Sequence, residues 1–170
     1  RRGKRLRHRA PGVTVMSGQF RVGIIGTGNV CRNAHLPAYA AMQEVDVAAL
    51  YDADPMASEL AQAHYRELVA DASSDHRHTR TREPEICASA VELVRRVDVV
   101  DICTPNRLHL EQVRKAAEAG SSIYLEKPMG MNLDEARQMA ALAAEHDLKT
   151  HMAFVFRYAP AVRQMKVLIE

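Results

Sequence analysis

The chain has 170 residues, 47% of them hydrophobic and 26% charged, and a formal net charge of +2. That length suits one ordinary domain with a core and is short for two; the composition is that of a globular protein. No apolar run approaches the roughly 18 residues a membrane helix needs, and with 5% aromatics and no Trp the stacking platforms of single-stranded nucleic-acid binders are not expected.

In chain order, the first feature is a basic tail over residues 1–18, expected to be disordered. Residues 1–15, RRGKRLRHRAPGVTV, carry six Lys or Arg and no acid, whereas the remaining 17 basic residues face 21 acidic ones. Such a tail is the one hint of contact with nucleic acid or an anionic surface. It lacks the apolar core of a secretory signal, and the preferred reading is an extension upstream of a start at Met16. From Phe20 short β-rich runs alternate with helical ones. FRVGIIG is a strand ending in glycines, NVCRNAHLPAYAAM a helix interrupted near Pro37, and VDVAALYD a second strand. PMASELAQAHYRELVADA, with Pro in its first turn, is the next helix. A polar loop, SSDHRHTRTREP, leads to a third strand EICAS and a short helix AVELVRR. VDVVDICTP is the clearest strand, β-branched and closed by Pro105. RLHLEQVRKAAEAG is a helix closed by Gly120, and SSIYLEKP a strand closed by Pro128. NLDEARQMAALAAEHD is a helix capped by Asn132, LKTHMAFVF a sixth strand, and APAVRQMKVLIE a last helix.

Six strands alternating with crossover helices predict an α/β fold, a doubly wound parallel sheet of the Rossmann kind in one domain over residues 19–155, with residues 156–170 as a crossover helix. In such sheets ligands bind beyond the carboxyl ends of the strands. There, Gly26-Thr27-Gly28-Asn29-Val30 follows the first strand and opens a helix. Gly26 permits the tight turn, Gly28 allows close approach of a pyrophosphate, and the helix start offers backbone N–H groups. The third small position is Cys31 rather than Gly or Ala. Asp52 ends the second strand, 21 residues after Cys31, where a carboxylate accepts hydrogen bonds from ribose hydroxyls. Asp54 adds negative charge and no Lys or Arg immediately follows, so NAD is expected over NADP.

Three further motifs carry a resemblance. CTPNRLH (Cys103–His109) follows the fourth strand, EKP (Glu126–Pro128) the fifth, and FRYAPAVRQMK the sixth. With GTGNVCRNAHLPAY, over residues 20–170, they resemble the glucose–fructose oxidoreductase, inositol 2-dehydrogenase and rhizopine-catabolism family (Gfo/Idh/MocA). The resemblance implies an NAD(P)-dependent oxidoreductase that moves hydride between a nicotinamide and a secondary alcohol or carbonyl of a sugar, inositol or related small molecule. It implies that Thr104, Pro105 and Asn106 line the cofactor, that His109 begins the next helix beside it, and that Glu126 faces the cofactor's ribose. Lys127 is the implied catalytic residue, often set by a cis Lys–Pro bond, and Arg157 lies at the approach to a second domain. A Lys ammonium suits the task because it can polarise the developing carbonyl oxygen or relay its proton.

Members of that family run well beyond this length, and the resemblance implies a C-terminal α/β substrate domain that these residues do not include. The chain is therefore expected to bind cofactor with little or no turnover alone, and to be cytoplasmic and homo-oligomeric when that domain is present. An apolar edge at MAFVF and VLIE is expected to promote self-association. The alternative is a non-catalytic NAD-binding or regulatory module, or an inactive fragment. No metal site is expected: His76 and His78 with Cys87 read as a solvated loop beside a buried thiol, and Cys31, Cys87 and Cys103 as free thiols of a reducing compartment.

Overall fold

In the computed structural model, residues 19–73 and 83–169 are described. The basic tail, and His76 and His78 of the polar loop, lie outside them. Six parallel strands form one sheet in the order β3-β2-β1-β4-β5-β6: β1 Phe20–Ile25, β2 Val45–Tyr51, β3 Glu85–Ile86, β4 Val99–Ile102, β5 Ser122–Leu125 and β6 Thr150–Met152. The helices are α1 Leu36–Ala41, α2 Pro55–Ser73, α3 Ala90–Val94, α4 His109–Ala119, α5 Leu133–Glu145 and α6 Pro160–Ile169. Strand order reverses between β1 and β4, the place where doubly wound sheets open a crevice.

The mainly apolar runs of β1 and β4, interrupted by Arg21 and Asp101, are explained by burial on both faces. Val22 and Ile24 pack with Cys31, Leu36, Leu50 and Tyr65 on one side, while Ile25, Val100 and Ile102 pack with Leu93, Val113, Leu125 and Met139 on the other. Each such side chain contributes about 1.5–3 kcal/mol when fully buried. Helix ends follow local chemistry. Asn132 Oδ1 accepts from the Glu135 amide at 2.9 Å, and Gly120 closes α4 at φ +74°.

Three expectations need correction. The helix after β1 is not broken at Pro37. A π-turn over Cys31–His35, closed by the Leu36 amide on the Cys31 carbonyl, widens the helix just before the residue that has no N–H to give. The third strand stops at Ile86 because Ser89 leaves it to cap α3, its Oγ accepting from the Glu92 amide at 3.1 Å. The sixth strand ends at Met152, opposite Leu125, the last paired residue of β5; the Ala153 amide still donates to the Leu125 carbonyl at 2.9 Å, after which Val155–Tyr158 turns into a 3-10 helix. Beyond it, α6 leaves Val167, Leu168 and Ile169 exposed. Among the described residues no helix is long and apolar enough to cross a membrane.

Candidate functional site

At the carboxyl end of β1, Gly26 adopts φ +92°, and a Cβ there would lie 2.7 Å from the Thr104 nitrogen. Backbone conformation and the neighbouring β4 loop therefore both demand glycine. Gly28 differs: a Cβ would meet nothing within 4 Å. Nothing in the chain's own packing requires the small residue, and the space beside it is open. Thr27 is buried, its amide donating to Asp52 Oδ2 at 2.7 Å and its hydroxyl to the same oxygen at 3.3 Å. The Asp54 amide holds Asp52 Oδ1 at 3.0 Å. Cys31 is fully buried against the sheet, which agrees with a small third residue in the loop; burial, and then the charge of Asp101, push its thiol up to about 12.

Asn29 and Val30 are exposed at the helix start. Arg32, which sequence reasoning passed over, braces the loop through Nη1 to the Thr27 carbonyl and Nη2 to Asn29 Oδ1, both at 3.1 Å. Its signal was only one more charge in a helix start; the guanidinium fork matters because the loop's carbonyl turns toward it.

The β4 and β5 ends lie alongside. Thr104 Oγ1 is buried without a hydrogen-bond partner. Pro105 is exposed and Asn106 half-buried at the start of a 3-10 turn running to Leu108. His109 is buried rather than facing the crevice. Its Nε2 lies 2.9 Å from the Thr104 carbonyl, and its Nδ1 3.0 and 3.1 Å from those of Pro128 and Met129. The ring thus ties the β4 loop to the β5 loop. The Lys127–Pro128 bond is cis, Lys127 is exposed, and its amide donates to Glu126 Oε2 at 3.1 Å. Arg157 stands outside the group, its guanidinium 5.7 Å from the Phe154 ring.

Behind the crevice sits a buried polar cluster. His35, in the π-turn, places Nδ1 2.7 Å from Asp101 Oδ2 and Nε2 3.1 Å from Glu126 Oε1. Tyr39 donates to the same Asp101 oxygen at 2.9 Å, and Cys103 Sγ lies 3.4 Å from Asp101 Oδ1. Burial draws the imidazole toward neutrality, but hydrogen bonds and charge from Asp101, then Glu126, outweigh it and raise His35 above its ordinary value. Burial first and the Asp101 charge second push the Cys103 thiol and the Tyr39 phenol well up. One sequence signal existed: Asp101 interrupts an apolar, β-branched strand, where an acid is costly unless partnered. His35, Asp101 and Cys103 bring ligand-capable atoms within 4.8 Å, the one such trio among the described residues; in this structure those atoms are engaged with one another.

The loop fits a dinucleotide on two structural observations, the open face of Gly28 and the orphaned hydroxyl of Thr104. The comparisons agree. Residues 20–154 match the family model described as oxidoreductase family, NAD-binding Rossmann fold (GFO_IDH_MocA). Levoglucosan dehydrogenase of Pseudarthrobacter phenanthrenivorans is 36% identical over 158 residues, 88% of this chain and 36% of that protein. D-xylose 1-dehydrogenase [NADP(+)] of Haloarcula marismortui is 31% identical, covering 92% and 41%. Scyllo-inositol dehydrogenase from Lactobacillus casei, solved with bound NAD(H) and scyllo-inositol, has the same fold with TM-score 0.73 at 24% identity, covering 89% of this chain and 41% of its own. The chain spans about 40% of the length of the curated relatives it matches.

Proposed function

The chain belongs to the Gfo/Idh/MocA oxidoreductase family through its NAD-binding Rossmann domain, and from that premise we propose that it binds NAD in preference to NADP for hydride exchange with a secondary alcohol or carbonyl of a sugar, inositol or related small molecule. The observation that carries the reading is the gathering of Gly26–Asn29, Asp52, Thr104 and Lys127 at the carboxyl ends of adjacent parallel strands. The carbohydrate and inositol names of the relatives support the substrate class.

In this reading the Gly28 face and the amides after it receive the pyrophosphate, braced by Arg32. Asp52 accepts from the adenosine ribose hydroxyls, and with Asp54 it repels a 2′-phosphate. Thr104, Pro105 and Asn106 line the nicotinamide side, and Glu126 faces the second ribose. His109 serves them indirectly, by joining the two loops that carry them. When bound, the nicotinamide supplies the hydride donor or acceptor. Lys127 carries the proton side of the exchange: Nζ gives a proton to the substrate oxygen when a carbonyl is reduced and takes the hydroxyl proton when an alcohol is oxidised, polarising that oxygen as charge develops. Residues 156–170 lead toward a substrate-binding domain, and the free thiols suit a reducing cytoplasm.

The test is calorimetric titration of the chain with NADH and NADPH, alongside Asp52→Ala. Tighter NADH binding, with the preference lost in the variant, is expected. Absence of binding by either nucleotide overturns the proposal.

A further inference from the structure

We propose that His35 is a positioning residue for Lys127: its ring bridges Asp101 in the core to Glu126 at the mouth of β5, and through Glu126 it sets the backbone on which Lys127 stands. The inference deepens the reading above, since it gives His35 a role toward the residue proposed to act on substrate.

The argument begins with the two ring nitrogens. Nδ1 faces an Asp101 oxygen at 2.7 Å and Nε2 a Glu126 oxygen at 3.1 Å. Carboxylates only accept, and a neutral imidazole carries one N–H. A neutral ring would therefore leave one carboxylate against a lone pair, whereas an imidazolium serves both. The site is enclosed enough for this to matter: Asp101 is fully buried, and the side chains of His35 and Glu126 are only 9% and 13% exposed. The groups facing the ring come from every neighbouring element. Asp101 comes from β4, with Cys103 Sγ just beyond it, 3.4 Å from Nδ1. Tyr39 comes from α1 and gives its proton to Asp101. Tyr124 of β5 meets the ring edge-on at 5.7 Å between centroids, and Glu126 follows the same strand. The two carboxylates prevail over burial and favour the charged ring.

The second half of the bridge is the other Glu126 oxygen, which accepts the Lys127 amide at 3.1 Å. One carboxylate thus joins His35 to the residue before the cis bond. As pH rises and the ring loses a proton, the remaining N–H stays with Asp101, whose contact is shorter and more deeply buried. Glu126 loses its donor, and the Lys127 amide loses a fixed acceptor. The orientation of an exposed lysine is thereby tied to a buried proton on a histidine 91 residues before Glu126.

The experiment is nuclear magnetic resonance of the full 170-residue chain without cofactor, following the His35 ring nitrogens and the Lys127 amide from about pH 5 upward through the histidine range. Both ring nitrogens are expected to be protonated at neutral pH, and the Lys127 amide to shift with the same midpoint as His35. In Glu126→Ala the His35 midpoint falls and the Lys127 amide no longer follows it. A single ring N–H at neutral pH would overturn the bridge, as would a Lys127 amide indifferent to the His35 transition. Persistence of the same shift in Glu126→Ala does so too. Adding NADH to the same sample tests the cofactor reading separately, because the bridge is judged on resonances recorded before any nucleotide is present.

Discussion

The amide of Thr27 donates to Asp52 across 2.7 Å, joining the turn after β1 to the end of β2. The carboxylate proposed to choose the cofactor therefore also holds the loop that receives it. The two duties separate by substitution. Asp52→Asn keeps an acceptor for the buried amide and removes the charge, so affinity for NADPH relative to NADH should rise about tenfold, ~1.4 kcal/mol, with little loss of stability. Asp52→Ala should also cost about 1–3 kcal/mol in urea unfolding, because the Thr27 amide is left without a partner. Equal unfolding midpoints for the two variants would contradict the structural duty.

The two loop glycines should fail differently. Gly26→Ala meets a positive φ and a backbone nitrogen 2.7 Å away, and should destabilise by about 2 kcal/mol or more. Gly28→Ala meets nothing, and its stability should stay within ~1 kcal/mol of the parent. Its NADH affinity should nonetheless fall at least about tenfold, as close approach of the pyrophosphate is blocked. Urea unfolding and calorimetry on both variants check this; undiminished binding by Gly28→Ala would mean that the phosphates do not cross that face.

Lys127 is exposed, so Lys127→Met should unfold within ~0.5 kcal/mol of the parent and still bind NADH. Hydride transfer by the variant should fall about 10²–10⁴-fold. Retained turnover would remove Lys127 from the chemistry.

Stability should carry the signature of His35. Its folded value lies above the ordinary 6.5, so the folded state binds the extra proton. That contribution is complete below 6.5 and is lost as pH rises through the raised folded value. Urea midpoints should therefore decline across that interval, and His35→Asn should flatten the decline. A midpoint rising over the same interval would reverse the sign and sink the assignment.

Phe156, Leu168 and Ile169 are 77%, 76% and 84% exposed, and exposed apolar side chains gathered in one stretch favour association. Light scattering should detect association that grows with concentration, reduced in Phe156→Ser with Leu168→Ser. A monodisperse monomer at high concentration would count against it.

What the sequence determined by itself was local or periodic. Mainly apolar runs in β1 and β4, a cap at Asn132 and glycine after α4 each follow from the chemistry of neighbouring residues, and they sufficed for six strands, their helices and the loop from Gly26 to Val30. The placement of Asp52 was legible for the same reason, since one strand–helix–strand unit fixes its distance from the loop. Only the tertiary structure decided what β3 and β6 lose at the sheet edges, where pairing depends on the neighbour's length. It alone turned His109 inward to three carbonyls and brought Arg32 onto the loop. It also assembled His35, Asp101 and Glu126, separated by 66 and 91 residues from the histidine. Asp101 in an apolar strand announced that some partner had to exist, but its identity depended on which helix crosses over which strand, and pairwise charge energies in a buried site have no counterpart in sequence spacing.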